Sequence, residues 1–81
     1  MKYEIFYANL AQRQLKKLPK PVAQKIVEKI KVLADDLQGD VKKLTDHTPE
    51  YRLRVGDYRI LFDRDGNRIV IQAVRNRREA Y

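Results

Sequence analysis

The sequence predicts an α+β fold: an N-terminal strand, an antiparallel helical hairpin, then an antiparallel β-meander with a short C-terminal tail. Three observations predict it. Apolar residues recur at helical spacing between residues 10 and 37. After Gly39 they alternate with polar ones, the period of a strand with one buried face. Gly56-Asp57 and Asp65-Gly66 then fall where tight hairpin turns would divide that alternating half into strands.

The first element spans Lys2 to Tyr7, whose Tyr, Ile and Phe content suits a strand. Asn9 is a candidate N-cap for a helix over about Leu10 to Leu18, with Leu10, Ala11, Leu15 and Leu18 on one face. Pro19-Lys20-Pro21 stops it, and Pro21 suits the first turn of the next helix. That second helix aligns Val22, Ile26, Ile30, Leu33 and Leu37 in one stripe and leaves Lys25, Lys29 and Asp36 outside it. Gly39, free to adopt a left-handed backbone, is the expected terminator. So short a link predicts two helices packed antiparallel. Val41 to Leu44 reads as a short strand, and Thr45 to Glu50 as a polar loop. The strands Tyr51–Val55, Tyr58–Phe62 and Arg68–Val74 complete the meander.

Tight turns fix register. With Gly56-Asp57 as a two-residue loop, Val55 faces Tyr58, Arg54 faces Arg59 and Leu53 faces Ile60. With Asp65-Gly66 as another, Phe62 faces Ile69, Ile60 faces Ile71 and Tyr58 faces Ala73. Both assignments give one apolar face of Tyr51, Leu53, Val55, Tyr58, Ile60, Phe62, Ile69, Ile71 and Ala73, which the helices should cover. The other face carries Arg52, Arg54 and Arg59 near Leu61, Val70, Gln72 and Val74. Like charges paired across strands cost several tenths of a kcal/mol. Such an arrangement suggests an anion site, because guanidinium forks match phosphate oxygens. The bland reading is a solvated sheet face screened by Asp57 and Asp63. The tail, Arg75-Asn76-Arg77-Arg78-Glu79-Ala80-Tyr81, adds three arginines.

The 81 residues predict one domain, 1–81, with a small core, and the net charge of +7 points to a polyanionic partner. The chain has no cysteine, which excludes disulfides and thiolate metal sites and fits a cytoplasmic setting. There is neither a signal-peptide pattern nor an apolar run long enough for a membrane span. No Asp, Glu and His cluster has metal-ligand spacing, so neither metal nor cofactor is expected. His47 lies alone in a loop and reads as incidental.

The order of elements, the run Tyr51-Arg-Leu-Arg-Val-Gly-Asp-Tyr-Arg-Ile-Leu-Phe62, the helical Leu15-Lys-Lys-Leu-Pro19 and the ending Arg77-Arg78-Glu79-Ala80-Tyr81 resemble RelE/ParE toxins along nearly the whole chain. The resemblance implies a RelE-like, microbial-RNase-like fold. It also implies a type II toxin that cuts mRNA in the ribosomal A site, where the 2′-hydroxyl attacks the adjacent phosphorus and leaves a 2′,3′-cyclic phosphate and a 5′-hydroxyl. The implied partners are the ribosome, mRNA and an acidic RelB-like antitoxin, with DNA reached only through the antitoxin complex.

By position, the resemblance carries the catalytic set to Arg52, Arg54, Arg59, Arg75, Arg77 and Tyr81. Guanidinium groups hold their proton near neutrality, so their work is electrostatic. Arg59 is the expected phosphate ligand and Arg54 its support, with Arg52 near the attacking hydroxyl and Arg75 or Arg77 at the leaving oxygen. Tyr81 would stack on a base or, less readily because a phenol with a pKa of about 10 is a poor acid–base near neutrality, act on a proton. The sequence departs from some relatives in having Asn76 near the place of a histidine, and arginines where others use lysine. Two alternatives stand beside cleavage: a ParE-type toxin that poisons DNA gyrase, and a module that binds RNA without cutting it.

Overall fold

The computed structural model describes residues 2–35, 37, 39, 41–44 and 49–76. In chain order it holds β1 (Glu4–Tyr7), α1 (Asn9–Lys16), α2 (Lys20–Leu33), β2 (Val41–Lys43), β3 (Tyr51–Val55), β4 (Tyr58–Asp65) and β5 (Arg68–Asn76). The strands form one sheet in the order β1-β5-β4-β3-β2. The expected α+β order is present, and β2 to β5 run as an antiparallel meander. β1 joins the far edge parallel to β5, with Ile5 beside Ile69 and Tyr7 beside Ile71.

The helices cover one face of the sheet. Ala11 of α1 and Ile26, Ile30 and Leu33 of α2 pack against Leu53, Val55, Ile60, Phe62, Ile69, Ile71 and Val74. Each fully buried large aliphatic or aromatic side chain contributes about 1.5–3 kcal/mol. Tyr51 and Phe62, partners across β3 and β4, stack with ring centroids 5.3 Å apart. At the same end of the sheet, Arg64 Nη1 donates to the Tyr3 hydroxyl at 3.2 Å, which raises the guanidinium pKa.

Both helices depart from the expectation at their ends. Asn9 is already helical, and Ala8 is the N-cap, with no side-chain cap bond. The Gln12 amide instead reaches back to the Tyr7 carbonyl at 3.0 Å. The second helix stops at Leu33, not at Leu37. The Tyr3 N–H takes the Ala34 carbonyl at 2.8 Å, so contact with the N-terminal segment competes with another helical turn. Leu37 itself adopts a left-handed φ of 56°. Pro21 does occupy the first turn of α2.

The β3–β4 register is the expected one: Val55 faces Tyr58, Arg54 faces Arg59 and Leu53 faces Ile60. The β4–β5 register is not. Its turn residues are Gly66 and Asn67, and Asp65 pairs with Arg68, so the hairpin closes one residue later than expected. Phe62 consequently faces Ile71, not Ile69. Between Phe62–Ile71 and Leu61–Ala73 the ladder shifts at a bulge that leaves Gln72 as the extra residue. Beyond it Ile60 faces Val74 and Tyr58 faces Asn76. Val74 therefore enters the core while Ala73 turns to the opposite face, the reverse of the expected placement.

Candidate nucleic-acid interface

The sheet face opposite the helices gathers basic side chains in two rows. In the first, Arg54, Arg59 and Arg75 lie side by side on three adjacent strands: Arg54 pairs with Arg59, and Arg59 with Arg75. Paired Cα atoms in such ladders are roughly 4.5–5.5 Å apart. In the second, Lys42 pairs with Arg52, Arg52 with Leu61, and Leu61 with Ala73. Lys42 was not singled out from the sequence. The signal that could have found it is its place in a three-residue strand whose outer partner is Arg52.

The bulge brings Arg75 into the first row. An unbroken ladder from the Phe62–Ile71 pair would set Val74 opposite Arg59 and turn Arg75 toward the helices. One extra residue reverses the side-chain alternation beyond it. The backbone there is anchored from α1: the Val74 N–H donates to Gln14 Oε1 at 2.6 Å. Gln14 thus supports the strand segment carrying Arg75 without standing on the basic face.

Arg59 is the most enclosed of the group, only 9% exposed, whereas Arg54 is exposed and Arg52 and Arg75 are half-buried. Its Nη1 donates to the Gly56 and Tyr58 carbonyls, both at 3.1 Å. Gly56 holds a φ of 56°, the left-handed conformation that lets the turn close. The turn therefore orients the guanidinium through its own backbone. Both bonds use Nη1; the Nε–Nη2 edge, which can grip two phosphate oxygens at once, takes part in neither.

Asp63 is on this face but serves another purpose. Its carboxylate accepts the Glu50 N–H at 2.9 Å and the Gln72 amide at 3.3 Å. It ties the segment before β3 to the bulge. Leu61 and Ala73, 6% and 5% exposed, supply an apolar floor beside the arginines.

Arg77, Tyr81 and His47 lie outside the described residues. Asn76 faces away from the arginine row; with Gln14, Lys17, Leu18, Tyr58 and Val74 it lines a cleft of about 370 Å³ on the helical side. Among the described residues, no three His, Cys, Asp or Glu side chains gather where they could hold a metal ion, and no helix is long and apolar enough to cross a membrane.

Residues 5–81 match the family model for the ParE toxin of type II toxin–antitoxin systems. Toxin RelE3 of Methanocaldococcus jannaschii is 29% identical over 96% of this chain and 94% of its own length. The fold superposes on the RelB–RelE antitoxin–toxin complex of Methanococcus jannaschii with a TM-score of 0.77 at 28% identity, covering 94% of each chain. The RelBE2 complex of Mycobacterium tuberculosis gives a TM-score of 0.81 at 26% identity, over 94% of this chain and 99% of the other. The archaeal RelE–RelB complex of Pyrococcus horikoshii gives 0.78 at 26%, over 99% and 100%. The chain belongs to the ParE toxin family within the RelE/ParE superfamily, and is a RelE-like toxin of a type II toxin–antitoxin system.

Proposed function

We propose that this toxin is a ribosome-dependent endoribonuclease that cuts mRNA in the A site without a metal ion, and so inhibits translation. The row Arg54–Arg59–Arg75 carries the reading. Three guanidinium groups aligned on neighbouring strands repel one another, and the arrangement becomes favourable when a phosphate lies across them. Arg59 is held from behind by two carbonyls, which suits a donor aimed in advance at charge that grows during reaction.

In this reading Arg59 holds the scissile phosphate, Arg54 supports it, and Arg52 borders the attacking 2′-hydroxyl. Arg75 stabilises the leaving 5′-oxygen, a role Arg77 could share, and Tyr81 stacks on a base. Guanidinium groups are poor proton acceptors near neutrality. Most of the acceleration must then come from stabilising the pentavalent charge and from aligning the two oxygens in line, an effect worth up to about 7–11 kcal/mol. The ribosome supplies part of that alignment.

The antitoxin partner follows from charge and from the relatives, three of which were solved as complexes with RelB-type proteins. An acidic, RelB-like chain would cover the basic face and block the phosphate site. The matching family model bears the ParE name, which favours a second reading: a poison of DNA gyrase that leaves RNA intact. The arginine row weighs against it, since gyrase binding does not require aligned phosphate ligands.

Toeprinting of a message during translation separates the readings. Codon-level cuts that disappear in Arg59→Ala support cleavage. Uncut message together with inhibited gyrase supports the rival.

A further inference from the structure

On β1, side-chain alternation sends Ile5 and Tyr7 toward the helices and leaves Glu4 and Phe6 on the same face as the arginines. Phe6 is 46% exposed, the most open of the large apolar residues; the other described aromatic side chains are half-buried or buried. A lone exposed apolar residue is ordinary on a protein surface. Phe6, however, has company suited to one kind of ligand. The Arg68 guanidinium lies 6.0 Å from its ring centroid, and half-buried Val70 is its partner on β5.

Phe6 lies on a continuous surface with the phosphate site. It pairs with Val70, Val70 with Asp63, and Asp63 is four residues along β4 from Arg59. Strand spacing and rise put Phe6 about 16 Å from Arg59. An extended single strand covers that span in a few nucleotides. Asp63, the acidic group between them, is bonded to Gln72 and the Glu50 N–H, while Glu4 stands beside Arg68 in the register. Arginine beside an aromatic ring at one end of the face and an arginine row at the other is an arrangement that can hold a single strand without reading sequence: phosphates lie on the charges at either end and a base lies on the ring.

We propose that Phe6, with Arg68 beside it, is a stacking platform for one base of single-stranded RNA a few nucleotides from the phosphate held by Arg59. The inference rests on the RNA-cleavage reading and extends its substrate track to the β1 edge. Stacking gives the platform length and aromatic preference rather than base identity, so it sets how much RNA the toxin engages.

The chain contains no tryptophan, so Phe6→Trp introduces a single indole as a reporter at an exposed position. Titration with oligouridylate long enough to reach from Arg59 to the platform should quench that indole, and a two-nucleotide RNA should not. In the otherwise native chain, Phe6→Ala should weaken binding of the same oligomer by roughly fivefold or more. On ribosomes it should raise the toxin concentration needed for half-maximal cutting while leaving the cutting rate at saturation intact. An indole unquenched by either RNA, with Phe6→Ala binding RNA as well as the native chain, overturns the platform. If Arg59→Ala still abolishes cutting in that case, the cleavage reading stands alone. A quenched indole in a protein that cuts no message upholds the platform and sinks the cleavage reading. Phe6→Ala that weakens only the binding of an acidic antitoxin, with RNA affinity unchanged, makes this edge a protein contact and overturns the proposal.

Discussion

Arg59 and Arg75 face each other across β4 and β5, and the extra residue Gln72 is what brings them together. Sequence separation hides this relationship, since one residue more or less on β5 would point Arg75 at the helices. The pair makes the centre of the basic face a two-strand feature, and Arg54 extends it to a third strand.

Replacing Arg59 with lysine keeps the charge but removes the fork. Arg59→Lys should retain fold and RNA affinity within a few-fold, yet lower the cutting rate by about 10²-fold or more, as loss of a preorganised donor does. Single-turnover cleavage on programmed ribosomes, beside thermal unfolding, measures both. Full activity in the lysine variant would reduce Arg59 to a bulk charge.

Gly56 holds the carbonyl that orients Arg59, at a φ of 56° with open space where a Cβ would lie. Gly56→Ala should therefore cost about 1–2 kcal/mol from backbone strain without a clash. If the turn relaxes to relieve that strain, the Gly56 carbonyl moves off Nη1. Cleavage should fall by more than the lost stability explains, and Gly56→Asn, which tolerates this backbone better, should recover most of it.

Gln14 accepts the Val74 N–H beside the bulge. Gln14→Leu leaves that part-buried donor without its acceptor and should destabilise the fold by about 1–3 kcal/mol in urea denaturation. Gln14→Glu retains an acceptor and should cost less. Equal stability in Gln14→Leu and the native chain would show that the bulge holds itself.

Burial raises the Tyr7 phenol above its ordinary value of 10.0. The folded state thus binds its proton more tightly than the unfolded chain. This contribution is complete below pH 10 and is lost as pH rises through the folded pKa. Urea midpoints measured across that alkaline range should decline, and Tyr7→Phe should flatten the decline.

Much of the sheet was legible because local chemistry decided it. Before Gly56-Asp57 apolar and polar residues alternate strictly, after it only Leu61 breaks the pattern, and only one register buries Leu53, Val55 and Ile60 together. β5 offers no such choice: Ile69-Val-Ile-Gln-Ala-Val74 is apolar at almost every position, so alternation cannot say which members face the helices. The bulge made the selection, supported by a helix residue sixty positions away in sequence. Leu37 continued the apolar stripe of the second helix, but the Ala34 carbonyl was claimed by Tyr3, an interaction no local pattern reveals. The arginine face was readable through Arg52, Arg54 and Arg59, while the placement of Arg75 depended on the bulge and that of Lys42 on the pairing of a strand three residues long.

β5 lies between β1 and β4, so the first strand of the chain has no place in the sheet until the fifth is present. Residues 68–76 also bring Arg75 to the row. While the chain is being synthesised, therefore, neither the five-stranded sheet nor the arginine row can be complete before residues 68–76 have left the exit tunnel. The strand that seats β1 is thus the one that completes the arginine row, and sheet and basic face are finished in a single step.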